Sequence, residues 1–163
     1  MFKIGDKIVY PLHGAGVVED IEEKEVLGEV RKYYILRMPI HSMKISVPVD
    51  MIGEMGVREI FNMDKYPLII EILEGKSSSM PDNWTQRYKE NLDKIKTGDI
   101  EEIAIVVRNL SIREDNKGLS TGEKKMLNSA KKVLVSEIVM ATGKDIDEVY
   151  EIIDNAIYNF KDS

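Results

Sequence analysis

Apolar residues keep two different rhythms along this chain, and the change between them divides it. Through the first fifty residues they alternate with polar ones, the period of half-buried strands. Phe2, Ile4, Ile8 and Tyr10 sit among Lys3, Gly5, Asp6 and Lys7, with Pro11 ending the run. His13-Gly14-Ala15-Gly16 reads as a turn, followed by a strand from Val17 to Ile21, a charged edge from Glu22 to Glu25, and a Leu27-Gly28 turn. Segments 32–37 and 43–49 complete at least four short strands with short connections, the pattern of a small antiparallel β barrel or curled sheet. Pro48 has no N–H to donate, which demotes the stretch Met43 to Val49 to an edge. Such an edge either receives a partner's strand on its unpaired backbone groups or is simply protected by Lys44 and Pro48.

After Val49 helical spacing takes over. Tyr66 to Gly75 predicts a short helix, with Pro67 tolerable in its first turn and Gly75 at its end. The change of rhythm falls near residues 58–66, which predicts a β domain over 1–62 and a compact all-α domain over 63–163, an α+β chain. Beyond a loop at 76–81, Asn83 to Gly98 predicts a helix capped by Asn83, with Gln86 three residues on as in a capping box. Trp84, Tyr88, Leu92 and Ile95 recur on one face of it, flanked by Arg87 and Lys94 on one side and by Lys89 and Lys96 on the other. Asp99-x-x-Glu102, Ser120-x-x-Glu123 and Asp145-x-x-Glu148 open three further amphipathic helices. Their apolar faces carry Ile100, Ile103, Ala104, Val107 and Leu110, then Met126, Leu127, Ala130, Val133, Leu134 and Ile138, and finally Val149, Ile152, Ile153, Ala156, Ile157 and Phe160.

Composition narrows the function classes. The 163 residues are 43% hydrophobic and 32% charged, which permits a core and argues against wholesale disorder. There is no cysteine, hence no disulfide or thiolate chemistry, and with no signal peptide or long apolar run the expected location is cytoplasmic, with no membrane association. The net charge of -6 disfavours a protein that coats DNA by charge alone, so any DNA contact is local or assisted by a tether. From Ser120 to Met140 four lysines face two glutamates, whereas residues 141–163 carry two lysines against six acids. The lysines at 124 and 125 either extend the basic shoulders of the tryptophan helix or form a solvated helix face.

Catalytic chemistry finds no foothold in these patterns. His13 and His41 are the only histidines and lack cysteine partners for a metal cluster, so no metal and no cofactor are expected. Gly75-Lys76-Ser77 lacks the upstream glycine of a phosphate loop, since that position holds Ile70. Carboxylates are plentiful but unpaired by spacing. Trp84, the only tryptophan, has two readings. It packs in a core with Tyr88, or it overhangs the first turn of its helix, where a flat ring among cations suits a nucleic-acid backbone and an opened base step.

Several of these motifs together resemble one family. Phe2-Lys3-Ile4-Gly5-Asp6-Lys7-Ile8-Val9-Tyr10-Pro11-x-His13-Gly14, Tyr33-Tyr34-Ile35-Leu36, Val47-Pro48-Val49, Gly56-Val57-Arg58, Asn83-Trp84-x-x-Arg87-Tyr88-Lys89 with Gly98-Asp99, and Gly118-Leu119-Ser120-x-Gly122-Glu123-Lys124 resemble the CarD/CdnL bacterial transcription regulators, in the right order over nearly the whole chain. The resemblance implies a Tudor-like N-terminal domain that binds the RNA polymerase β subunit through an edge strand. It also implies a helical domain that meets promoter DNA at the upstream fork of the bubble, where a tryptophan wedges into the minor groove. Carried over, Trp84 is the wedge, Arg87 and Lys89 contact the DNA backbone, and Gln86, Lys94, Lys124 and Lys125 complete the DNA-facing set. Lys24, Met43, Lys44, Ile45, Ser46, Val47 and Pro48 form the polymerase-facing surface. Two positions depart from relatives: Gln86 stands where another cation is common, and Ser46 where a basic residue can help hold polymerase. A monomer, associated with the nucleoid through polymerase, is implied. The rival class is a protein-binding adaptor whose Trp84 face never touches DNA; an enzyme ranks last.

Overall fold

The computed structural model describes residues 1–11, 13–39 and 42–158. The expectations for His41 and Phe160 lie outside the described residues. Five strands, β1 (Lys7–Tyr10), β2 (Gly14–Val26), β3 (Glu29–Met38), β4 (Met43–Pro48) and β5 (Arg58–Glu59), are followed by five helices. These are α1 (Tyr66–Glu74), α2 (Trp84–Lys96), α3 (Ile100–Asn116), α4 (Thr121–Thr142) and α5 (Ile146–Tyr158). The chain is thus α+β as its two rhythms predict.

The strands form one antiparallel sheet in the order β4-β3-β2-β1-β5. It is an open sheet and not a closed barrel, because β4 and the two-residue β5 are its two ends and do not pair with each other. A second correction concerns Gly14 to Gly16, which belong to β2 and pair with β1 instead of turning. Reversal happens earlier, where the His13 N–H bonds back to the Tyr10 carbonyl at 2.9 Å. Gly16 is required there for close approach: a Cβ would lie 2.4 Å from the Met38 sulfur and 2.6 Å from the Arg37 carbonyl. Nor do Phe2 and Ile4 extend β1. Ile4 is exposed, while Phe2 packs edge-on against Tyr34 and gives its N–H to the Tyr34 hydroxyl.

β2 and β3 are joined by the predicted Leu27-Gly28 turn, both residues at positive φ (53° and 81°), the geometry of a two-residue hairpin loop. Register shifts between Val18 and Asp20; past that point β2 leaves the core and runs as an exposed ribbon with β3. Ile8, Val18, Tyr34, Leu36, Met38, Val47 and Val57 fill the core beneath the sheet.

The helical core centres on α3, which is buried on nearly every side by α1, α2, α4 and α5. Capping follows the sequence signals: Asn83 accepts from the Thr85 and Gln86 amides, Asp99 from the Glu101 amide, and Ser120 with Glu123 forms the complete reciprocal box. Phe61, which the expected boundary at residue 62 puts in the β domain, is part of this helical core.

The two halves are joined where α4 lies against the sheet. The Ala15 amide donates to the Ser136 hydroxyl at 2.8 Å, and Lys7 to the Met140 carbonyl at 3.2 Å. Arg58 in β5 forms a two-pronged ion pair with Glu137, both contacts 2.8 Å, and donates to the Gly98 carbonyl at 2.7 Å. Glu137 is fully buried and also accepts the Phe61 amide. A buried carboxylate so completely bonded holds two modules in one geometry more than it adds net stability. No helix among the described residues is long and apolar enough to cross a membrane.

Candidate nucleic-acid and protein interfaces

Helix α2 turns a different face inward from the one its apolar spacing suggests. Arg87, Asn91 and Ile95 are the buried residues, at i, i+4 and i+8. Of the predicted stripe Trp84, Tyr88, Leu92 and Ile95, only Ile95 is buried; Trp84 is exposed, Tyr88 and Leu92 are half-buried, and the buried line lies one residue, about 100°, around from Tyr88 and Leu92. Trp84 is 56% exposed at the first position of the helix. The overhanging reading of the ring therefore describes its place, and the core reading does not.

The cause is a buried ion pair. Arg87 is 3% exposed; its Nε and Nη2 donate to the two Glu123 carboxylate oxygens at 2.7 and 2.8 Å, and its Nη1 to the Pro81 and Asp82 carbonyls at 3.1 and 3.0 Å. Arg87, expected to contact a DNA backbone, is thus enclosed, with four of its five N–H donors bonded inside the fold. The hydrogen bond that Arg87 donates to Glu123 raises the Arg87 pKa. Burial pushes the Glu123 carboxyl up, but hydrogen bonds from Arg87 and Ser120 outweigh that and hold it below the ordinary carboxylate range. The pair also has a mechanical result: by gripping the carbonyls just before Trp84, Arg87 fixes the chain from which the ring projects.

The remaining predicted cations are spread unevenly. Lys89 is exposed and makes no ion pair with a described residue, and Lys96 is in the same condition. Lys125 lines an apolar trough of about 310 Å³ together with Tyr88, Leu92 and Gly122, and likewise has no ion-pair partner among the described residues. Lys124 instead points toward Glu114, 3.9 Å away, and Lys94 is half-buried. Gln86 is two residues, about 200°, from Trp84 around the helix, so the two side chains leave opposite sides. Both glutamates that offset the α4 lysines in the sequence, Glu123 and Glu137, are fully buried and paired with arginines.

At the other end of the molecule β4 pairs only with β3, so one whole side of its backbone is unpaired by the sheet. Met43, Lys44 and Ser46 are exposed, Ile45 and Pro48 half-buried, and Val47 fully buried. Val47 can offer a partner its backbone only, which corrects its place among surface side chains. Lys44 is 3.0 Å from Glu19. Lys24, on β2, reaches across β3 to place its ammonium 3.0 Å from the Ser46 hydroxyl and over the Tyr33 ring. A cation thus stands beside the position where Ser46 supplies none. Among the described residues no group of three or more His, Cys, Asp or Glu side chains is placed to hold a metal ion.

These features describe a chain in two parts: a sheet with a free edge, and a helical body that displays an aromatic ring and lysines without an ion pair. Residues 68–154 match the family "CarD, C-terminal domain", and residues 2–61 match "CarD-like/TRCF RID domain". The chain belongs to the CarD family of transcription regulators. It is 45% identical, over 143 residues, to a Bacillus subtilis (strain 168) protein named "Putative transcription factor YdeB", a similarity that spans 88% of this chain and 94% of that one. The solution NMR structure of the 72-residue N-terminal domain of Myxococcus xanthus CarD is 30% identical and covers 36% of this chain and 79% of that domain, with a TM-score of 0.32.

The two buried ion pairs are what the apolar spacing failed to reveal. Glu137 was detectable in principle, as a lone carboxylate inside the run Val133-Leu134-Val135-Ser136-Glu137-Ile138-Val139. Arg87 gave no such signal, because a cation on a polar shoulder and a cation turned inward look alike in one dimension.

Proposed function

We propose that this protein is a transcription regulator that docks on the RNA polymerase β subunit through the β4 edge and stabilises the open promoter complex by inserting Trp84 at the upstream edge of the bubble. The observation that carries this reading is Trp84 itself, more than half exposed at the head of α2 and held there by the Arg87 clamp. An indole in that position offers stacking area to an opened base step, while Lys89, Lys96 and Lys125 offer charge to the phosphates on either side. A few unpaired lysines on a chain of net charge -6 give weak DNA affinity. Attachment to polymerase compensates, because the promoter is then present at high effective concentration.

Strand addition at β4 makes a prediction with an alternating signature. Successive residues of an edge strand direct their N–H groups alternately into the sheet and away from it. Proline placed singly at positions 44, 45 and 46 should therefore separate into two classes. The outward class keeps the fold by circular dichroism and loses β-subunit binding; the inward class disrupts the sheet. Polymerase affinity unchanged by every folded proline variant would exclude docking through this edge. For the DNA half, a photocrosslinker at Lys89 should label the upstream fork of a polymerase-promoter complex. Labelling of protein alone would point to an adaptor.

A further inference from the structure

The loop that leads to Trp84 covers a second, polar recess of about 310 Å³ that the promoter mechanism does not use. One wall is formed by Ser77, Ser78 and Ser79; the other by Asn109 and Arg113, one turn apart on α3, and by Lys117 at its C-cap. Asn109 is fully buried. Its Oδ1 accepts from the Ser78 amide at 3.0 Å and from Arg108 Nε at 3.1 Å. Both of those groups are donors, so the amide orientation is settled and Nδ2 is necessarily the free end. That buried Nδ2 has no partner, and neither has the buried Nε of Arg113. The Arg113 side chain makes no ion pair or hydrogen bond with any described residue.

Charge points the same way as geometry. Arg108, beside the recess, donates to the Ile72 carbonyl, the Ser78 hydroxyl and Asn109, all neutral acceptors. Arg113 and Lys117 add two more cations, and Asp82 is the one carboxylate in the lining. Orphaned donors and surplus positive charge repel a metal ion and suit an acceptor-only group with several oxygens. Water would satisfy Nδ2 but would leave the guanidinium charge uncompensated. We propose that this recess binds an oxyanion, a phosphoryl group seated between Asn109 Nδ2, the Arg113 guanidinium and Lys117, with the serine hydroxyls on its other side. The group belongs either to a soluble phosphorylated solute or to a backbone phosphate of the DNA strand beside Trp84. The second source rests on the DNA-contact reading above, and the first does not.

The test uses the full chain in two-dimensional ¹H–¹⁵N NMR, titrated with inorganic phosphate against chloride at constant ionic strength. Saturable shifts confined to the amides of Ser77 to Met80, the Asn109 side-chain amide and Arg113 Nε–H are expected. Apparent affinity should fall at least about tenfold in Arg113→Gln and in Asn109→Asp, the latter keeping Oδ1 while replacing the free donor by an oxygen. Lys117→Gln, on an exposed side chain, gives a third variant whose folding is not at issue. Forked duplex DNA that displaces the phosphate identifies the DNA strand as the source; saturation that DNA does not disturb identifies a soluble phosphorylated solute, whatever the fate of the promoter mechanism. Shifts that never saturate, or that persist unchanged in the variants, mean an adventitious ion only and overturn the proposal.

Discussion

Trp84 and Arg87 lie three residues apart on α2 and meet opposite fates. The arginine is enclosed, its bonded donors divided between Glu123 and two carbonyls, while the ring is more than half exposed. The contrast shows that positive charge on a helix is not in itself a nucleic-acid signal. What separates a structural cation from a binding one is whether its donors are already used. Exchanging the two roles should therefore fail in different ways: damage to the inward face should appear as lost fold, and damage to the outward face as lost function.

The largest effect is expected from breaking the inward face. Arg87→Ala or Glu123→Ala leaves a buried charge without its partner and should cost about 3–5 kcal/mol in urea unfolding. Replacing both by apolar residues of similar volume should recover much of that loss. A pH series gives the same pair a second signature. The Glu123 carboxyl lies below its ordinary value in the folded protein. Its contribution is accordingly present in full above the unfolded carboxylate value of about 4.3, and is lost as pH falls through the lower folded value. Glu123→Gln should flatten that acid limb of the stability profile.

Arg58→Ala should come next, at about 1–3 kcal/mol. Glu137 would lose both prongs of its ion pair but keep the Phe61 amide, and Arg58 is partly exposed where Arg87 is not. Increased amide exchange at the Ala15–Ser136 contact would show the two halves loosening along their seam. The smallest stability change belongs to the outward face: Lys89→Ala should alter unfolding by no more than about 0.5 kcal/mol. In DNA binding it should reduce the slope of log affinity against log salt by about one.

Much of the architecture was legible because local rules and tertiary packing agree. The caps at Asn83, Asp99 and Ser120, the Gly75 stop and the Leu27-Gly28 hairpin all follow from side-chain and backbone chemistry confined to a few residues. The edge position of β4 was announced by Pro48. What stayed hidden depends on partners distant in sequence. Glu123 lies 36 residues from Arg87 and Glu137 lies 79 from Arg58, and neither pairing leaves a periodic trace. Gly16 looked like part of a turn because its need for closeness to Met38 arises from a residue on β3, 22 positions further along the chain. The rotation of α2 by one residue has the same origin, since Glu123, which pairs with Arg87 on the buried face, lies on another helix. The open side of β4 was readable as an edge, whereas the polar recess beside Asn109 shows donors whose orphaned state only the folded arrangement reveals.

The central claim is that Trp84 acts on the promoter and not on the fold. A ring wedged at the edge of a melted region favours the open complex over the closed one instead of strengthening every DNA contact. Trp84→Ala should leave the melting temperature nearly unchanged and polymerase affinity intact, and should shorten the open-complex lifetime about tenfold if the ring contributes about 1.4 kcal/mol to that state. Phenylalanine at the same position should restore part of the lifetime, because stacking area survives the loss of the indole N–H. Thermal unfolding measured beside open-complex lifetime for these two variants is the deciding pair of numbers. A stable Trp84→Ala protein with a shortened lifetime is the predicted result; a lifetime indistinguishable from that of the unsubstituted protein would contradict the mechanism.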